Sequence, residues 1–182
     1  ARQPWKPYLA SKGRPLICGL LKVRNEIVRE GNIRRCIDNM TRFCDVIVAC
    51  DDDSKDGTRE YLQTVIPKEH LFLVPHKEQD FRKELHWKEK MLEYINREIK
   101  PHWIWWQDAD EELENRGVLA IRDFCTQMLE QDDVAWRFPY TQLWRSQYWA
   151  RTDSEFDDGA YIKLWKWHEK LAFHVRSGTH FA

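Results

Sequence analysis

Trp103-Ile104-Trp105-Trp106-Gln107-Asp108-Ala109-Asp110-Glu111-Glu112 decides how this chain is read, because a bulky apolar run passes directly into four carboxylates. The run is too short to span a bilayer or to stand alone as a helix. Its aromatic content suits a pleated, buried surface, so it reads as an interior strand. Asp108 and Asp110 then fall at its carboxyl end, and in open α/β sheets ligands bind in the crevice beyond those ends. Acids at alternate positions of an extended segment point to one side, which predicts that both face the same ligand or cation. Packed anions repel one another. A hard divalent ion held through oxygen would relieve that repulsion and bridge to the phosphates of a substrate.

Outward from that strand, two hydrophobic periods alternate. Residues 16–23 and 45–50 are buried-strand candidates, 71–74 a shorter one, and the spacing predicts helices over 26–43, 58–66 and 81–99, the last ended by Pro101. Strands alternating with helices imply a largely parallel, Rossmann-like sheet with right-handed crossovers and helices on both faces. Residues 116–129 form a further helix. Residues 134–140, 143–149 and 160–167 then read as strands joined without helices, which predicts a smaller antiparallel part in the C-terminal half. No repeat, low-complexity tract or linker divides the chain, so residues 1–182 are expected to form one domain.

Composition narrows the function classes. Lys and Arg number 29 against 30 Asp and Glu, a net charge of −1, so binding of long nucleic acid or anionic lipid is not expected. Five cysteines without a Cys-x-x-Cys pair argue against a disulfide framework and a zinc knuckle, and a reducing cytoplasm is expected. No apolar signal segment and no run long enough to cross a bilayer are seen. Ten tryptophans are unusual for 182 residues, and core packing is the expected use of most of them, with a sugar-stacking surface as the alternative.

A second acidic cluster, Asp51-Asp52-Asp53-Ser54-Lys55-Asp56-Gly57-Thr58, follows the second strand and opens a helix, with Ser54 and Asp56 expected as caps. Acids gather at helix starts because the macrodipole favours them, which accounts for Asp56. An EF-hand reading fails, because its twelfth position is Gln63 where a bidentate Glu is needed and a strand precedes the loop. A third reading is nucleotide recognition, a strand-end carboxylate accepting hydrogen bonds from a base or a ribose.

Val23-Arg24-Asn25-Glu26 after the first strand, the 51–58 turn after the second, and Asp108-Ala109-Asp110-Glu111 after the fourth together resemble family 2 glycosyltransferases of the GT-A fold. The order and placement of the three motifs carry the resemblance, over residues 16–113. It implies a metal-dependent enzyme that moves a sugar, of the hexosyl type, from a nucleotide diphosphate donor to an acceptor hydroxyl with inversion. A UDP-sugar is the favoured donor, and a glycan, a lipid-linked sugar or another hydroxyl compound the acceptor. By the resemblance Asp51 and Asp52 hold base and ribose, Arg24, Asn25 and Glu26 frame the nucleotide pocket, Asp108 approaches the ribose or the metal, and Asp110 ligates Mn or Mg. Lys88 falls nearest the position where the family often carries Arg, and it is expected on the diphosphate. Asp53 departs from the family's usual glycine, a departure that matters if the turn needs a positive φ.

Past residue 113, in the expected acceptor-side half at 114–182, the resemblance fades. Ile162-Lys163-Leu164-Trp165-Lys166 is similar to a basic-apolar strand of the family, and Gly178-Thr179-His180 to an ending that supplies a late histidine. His180 is the first choice as a further metal ligand and His174 the reserve. Inverting transfer needs a base for the acceptor proton. Asp158 and Asp157, in the polar turn before the last strand, are the candidates, with Glu155 a third. A solvated turn is the plainer reading of that segment. The chain ends two residues past His180, and a C-terminal segment that closes the acceptor site is expected to be missing. Two rival readings stay open: a sugar-phosphate nucleotidyltransferase, for which Cys18-Gly19-Leu20-Leu21-Lys22 lacks the glycine-rich phosphate loop, and a carbohydrate-binding module without chemistry.

Overall fold

The computed structural model describes residues 14–29, 31–74, 84–132, 135–143, 150 and 159–173. Its strands are β1 (Ile17–Val23), β2 (Val46–Asp51), β3 (Leu71–Val74), β4 (Trp103–Asp108), β5 (Ala135–Pro139) and β6 (Ala160–Lys166). Helices α1 (Asn32–Met40), α2 (Thr58–Val65), α3 (Glu84–Tyr94) and α4 (Asn115–Gln127) join them, and α3 runs on into a π-helical turn, Ile95–Ile99. One sheet in the order β3-β2-β1-β4-β6-β5 holds all six strands. β1 pairs parallel with β2 and β4, and β2 parallel with β3, whereas β6 runs antiparallel to β4 and β5 antiparallel to β6. The expected α/β sheet, mostly parallel with a C-terminal antiparallel part, is the observed one.

Strand β4 is buried on both faces, as its sequence requires. Trp103 and Trp105 pack with Ile33, Ile37 and Met40 of α1 and Ile121 and Cys125 of α4, whereas Ile104 and Trp106 join Trp87, Met91 and Leu92 of α3. Each buried indole N–H in the strand donates: Trp103 to the Cys125 carbonyl at 3.1 Å, Trp105 to Gln107 Oε1 at 2.8 Å, and Trp106 to Asp108 Oδ1 at 3.1 Å. Core packing is thus the role of these tryptophans. All five cysteines are free and buried. Gly19 lies inside β1, where a Cβ would come 2.5 Å from Met40 Cε, so this glycine serves close packing of α1. Among the described residues no helix is long and apolar enough to cross a membrane.

Two local expectations are corrected. The first helix begins at Asn32 instead of residue 26, because the Ile27 and Val28 N–H groups donate to Asp56 Oδ2 (2.9 and 3.1 Å) and Gly31 turns the chain at φ 72°. Ser54 does not cap α2. Its hydroxyl accepts from the Asn25 N–H at 2.9 Å, and Gly57 stands at the helix start. Of the expected strand at 143–149, residues 144–149 lie outside the described residues, and Leu143 makes an isolated antiparallel bridge to Ala150.

Candidate functional site

Parallel pairing decides where the acids meet. In the register, Val23 of β1 lies opposite Asp51 and Lys22 opposite Asp108, so the loops after β1, β2 and β4 leave the same edge of the sheet side by side. With neighbouring strands about 4.8 Å apart, the backbones of Asp51 and Asp108 stand roughly 10 Å from each other across β1.

The first two loops are bound to each other. Lys55 N–H donates to Asn25 Oδ1 at 2.8 Å, and Glu26 N–H to Thr58 Oγ1 at 2.9 Å. Asp56 accepts from the backbone N–H groups of Ile27, Val28 and Thr58 and from the Thr58 hydroxyl. Burial pushes the Asp56 carboxyl up, but those donors outweigh it and hold the group below the ordinary carboxylate range. Asn25 and Asp53 both take left-handed backbone, at φ 52° and 56°, so Asp53 does sit in the conformation for which glycine is favoured. Asp51 and Asp52 are buried at the root of this double loop, with Arg59 3.6 Å from Asp51 Oδ2 and Arg24 3.8 Å from Asp52 Oδ2. Asn25 thus stands between the loops with its side-chain oxygen already engaged.

The third loop contradicts the expected alternation. The strand ends at Asp108, and Ala109 and Asp110 form a turn closed by Glu111 N–H donating to the Asp108 carbonyl at 3.0 Å. Glu111 folds back, its carboxylate accepting from Asp108 N–H at 3.0 Å. Asn39 of α1 holds the loop from below through both groups of Leu113, and Gln107 Nε2 donates to the Glu111 carbonyl at 2.8 Å. Asp110 is left exposed at the tip.

Around this tip charges gather from distant parts of the chain. Lys163 of β6 places Nζ 2.7 and 2.5 Å from the two Glu111 oxygens and 3.7 Å from Asp108 Oδ2. Lys88 of α3 lies with Nζ 4.2 Å from the centre of the Trp106 ring, and its charge reaches Asp108. Burial raises the Asp108 carboxyl above its ordinary range and Glu111 adds to this, against the pull of Lys163, Trp106 and Lys88. Burial also raises Glu26, with Arg29 pulling it back and Asp110 and Asp56 pushing it further. Tyr140, at the end of β5, is raised by burial and then by Glu111, Asp110 and Asp108, so it keeps its proton and remains a hydrogen-bond donor. Asp110 is thus felt by Glu26 from one loop and by Tyr140 from another.

The structure therefore brings together Arg24, Asn25, Glu26, Asp51, Asp52, Lys88, Asp108 and Asp110. Asp157, Asp158, Glu155, His174 and His180 lie outside the described residues. Tyr140 escaped the sequence reading, as did the parts played by Glu111 and Lys163. A lysine between Ile162 and Leu164 in an apolar strand was the one available signal for a buried counter-charge. Among the described residues no three His, Cys, Asp or Glu side chains are grouped to hold a metal ion by themselves.

Comparison with known proteins adds the lineage. Solved structures that resemble this chain include TarS 1-349 from S. aureus, at 15% identity and a TM-score of 0.49 over 66% of this chain and 34% of that one. The same protein in complex with UDP-GlcNAc matches at 14% identity and 0.49, over 66% and 33%. The mannosyltransferase PcManGT from Pyrobaculum calidifontis, in complex with GDP-Man and Mn2+, matches at 24% identity and 0.46, over 67% and 34%. The chain thus spans about a third of the length of these proteins. No curated protein matched it. The model of glycosyl transferase family 2 matches residues 20–168, most of the sequence, and the chain belongs to that family.

Proposed function

We propose that this chain forms the catalytic domain of a glycosyltransferase that moves a sugar, of the hexosyl type, from a nucleotide diphosphate to an acceptor hydroxyl with inversion. The observation that carries this reading is the meeting of two acidic loops with the Arg24–Glu26 loop at one edge of the sheet, on a chain of this family. Residues 16–113 supply the donor half and 114–182 the acceptor half of one domain. Asp51 and Asp52 accept hydrogen bonds from the base and ribose of the donor, for which a UDP-sugar is the favoured class. Arg24 and Glu26 frame that pocket, and Asn25 fixes its floor by joining the two loops. Lys88 balances the charge of the diphosphate near Asp108. Asp158, or Asp157, takes the acceptor proton. The acceptor is a glycan, a lipid-linked sugar or another hydroxyl compound, and five free buried cysteines favour a cytoplasmic setting.

The donor set fits a hard divalent ion held jointly by protein and substrate. Asp108 and Asp110 offer carboxylate oxygens amid an excess of negative charge, with no cage of three protein ligands among the described residues, which is how Mg is commonly shared between one or two carboxylates and phosphates. When bound, Mn or Mg would supply positive charge against the departing diphosphate. His180 is the candidate for a further ligand.

Calorimetric titration of UDP with and without Mn tests this. Metal-dependent UDP binding that disappears in Asp110→Ala, with melting unchanged because Asp110 is exposed, is the expected result. UDP binding that ignores the metal in the parent chain would overturn the assignment of Asp108 and Asp110, and no binding of any nucleotide would favour the carbohydrate-binding alternative.

A further inference from the structure

The far end of the sheet, where β1 and β2 begin, carries a second set of charges that glycosyl transfer does not use. A cleft of about 360 Å³ opens there, bordered by the segment before β1, the end of α1, the turn before β3 and Arg122 of α4. That volume lies at the lower end of the range for small-molecule sites, roughly 300–1,000 Å³.

Asp45 is its buried anchor. The carboxylate accepts four hydrogen bonds, from Arg14 at 3.1 Å, from Arg122 at 2.7 and 3.2 Å, and from the Ile17 N–H at 2.9 Å. One carboxylate thereby holds two guanidinium groups in place. Arg42 also lines the cleft, its Nη1 donating to Asn115 Oδ1 at 2.7 Å, so three arginines face a single acid among the lining residues. Donor capacity is left over. A guanidinium has five N–H bonds, and the Nε of Arg14 is buried without a hydrogen-bond partner. His70 stands on the rim with Nδ1 2.6 Å from the Asp45 carbonyl oxygen; a carbonyl can only accept, so Nδ1 carries the proton and the ring is pinned in one orientation. Ile47, Ile66 and Pro67 provide an apolar wall beside the cations.

A structural ion pair needs one guanidinium for each carboxylate, and the surplus here has no acid among the lining residues to absorb it. Guanidinium groups match phosphoryl oxygens two at a time, and prior fixation by Asp45 removes much of the ordering cost of binding. We propose that this cleft is a second ligand site that takes a phosphomonoester, with the phosphoryl group among Arg14, Arg42 and Arg122 and the organic part against Ile47 and Ile66. The length of β1 and β2, roughly 20 Å, separates it from the acidic loops. The site stands independently of the proposed sugar transfer.

Amide chemical shifts of the isotope-labelled chain, followed during titration with inorganic phosphate and with glycerol phosphate, test the proposal, with sodium chloride at matched ionic strength as the control. Saturable shifts centred on residues 41–47 and His70, larger for glycerol phosphate than for phosphate, are expected. Arg42→Gln and Arg14→Gln should each weaken binding about tenfold, the loss of one charge-assisted hydrogen bond. Arg42 is exposed and its recorded partner is Asn115, so Arg42→Gln keeps the test valid if Arg14→Gln fails to fold. Shifts that do not saturate, that chloride reproduces, that persist unchanged in Arg42→Gln, or that centre on Asp51 and Asp108 would each overturn the site. None of these outcomes depends on whether UDP and Mn bind at the other edge.

Discussion

Lys163→Gln should reveal how much of the acidic loop's stability rests on one buried ammonium. The Lys163 side chain is 12% exposed and meets Glu111, itself 14% exposed, with Asp108 3.7 Å away and half exposed. Two unit charges at that separation attract by roughly 4 kcal/mol at an effective dielectric constant of about 20. Water screens the Asp108 pair, and exposed pairs retain only about 0–1 kcal/mol. The Glu111 pair is nearer the buried limit, where loss of one partner costs about 3–5 kcal/mol because a charge is stranded. A net loss of about 3–5 kcal/mol at neutral pH follows, or roughly 6–20 °C in melting temperature for a chain of this size. The sign of the pH dependence is the sharper test. Asp108 is held above its ordinary value of 3.8 by burial and then by Glu111, and Lys163 opposes both, so its removal lifts the carboxyl further. A carboxyl raised in the folded state costs stability as pH climbs from the ordinary value through the raised one. Urea unfolding of the two proteins should therefore show a larger deficit at about pH 8 than at about pH 4. An equal deficit at both, or none at either, would refute the argument.

Asp56→Ala should cost about 2 kcal/mol in the same assay, at the upper end for a lost helix cap, because three backbone N–H groups lose their acceptor. Asp56 is held below its ordinary range, so its contribution is present above 3.8 and disappears as pH falls through the lowered value. Hydrogen exchange at Ile27 and Val28 should quicken in the variant, and unchanged exchange would show that another group holds the turn. At Asp53, with φ 56°, replacement by glycine should be neutral or stabilising by up to about 1 kcal/mol, the relief of the left-handed backbone set against loss of the exposed pair with Lys55. Asp53→Val should cost about 1–2 kcal/mol, and equal melting of the two variants would show that the left-handed turn is not under strain.

Most of the sheet could be read from the chain because strands buried on both faces leave long apolar runs, and β1, β2 and β4 are of that kind. Boundaries were misread where a side chain took over from the backbone. Ile27 lies at helical spacing from Ile33 and Ile37, yet the chain is not helical there, since Asp56, some thirty positions away, accepts its N–H. Ser54 looks like a cap in sequence, but its hydroxyl accepts from Asn25 across the loop. The placement of Asp108 and Asp110 on one side rested on the strand continuing, and Glu111 ends it by folding back on the Asp108 N–H. In each case a local pattern was overridden by a hydrogen bond whose other partner a periodicity cannot show.

The candidate site shows the same division between local and distant information. Its anions were legible because they occur in runs at strand ends, where burial and repulsion make them costly without a purpose. The partner of Glu111 was not, because Lys163 arrives by sheet pairing. Lys163 reaches Glu111 across 52 positions of sequence, and what brings it there is the antiparallel register that sets Leu164 beside Trp105. Lys88 arrives from the other face, on the helix that covers Trp106. The antiparallel half therefore does more than extend the sheet. By carrying Lys163 to the acidic tip, β6 pulls down the Asp108 carboxyl that burial and Glu111 raise, so residues 16–113 would keep their acids but lose that counter-charge if they stood alone.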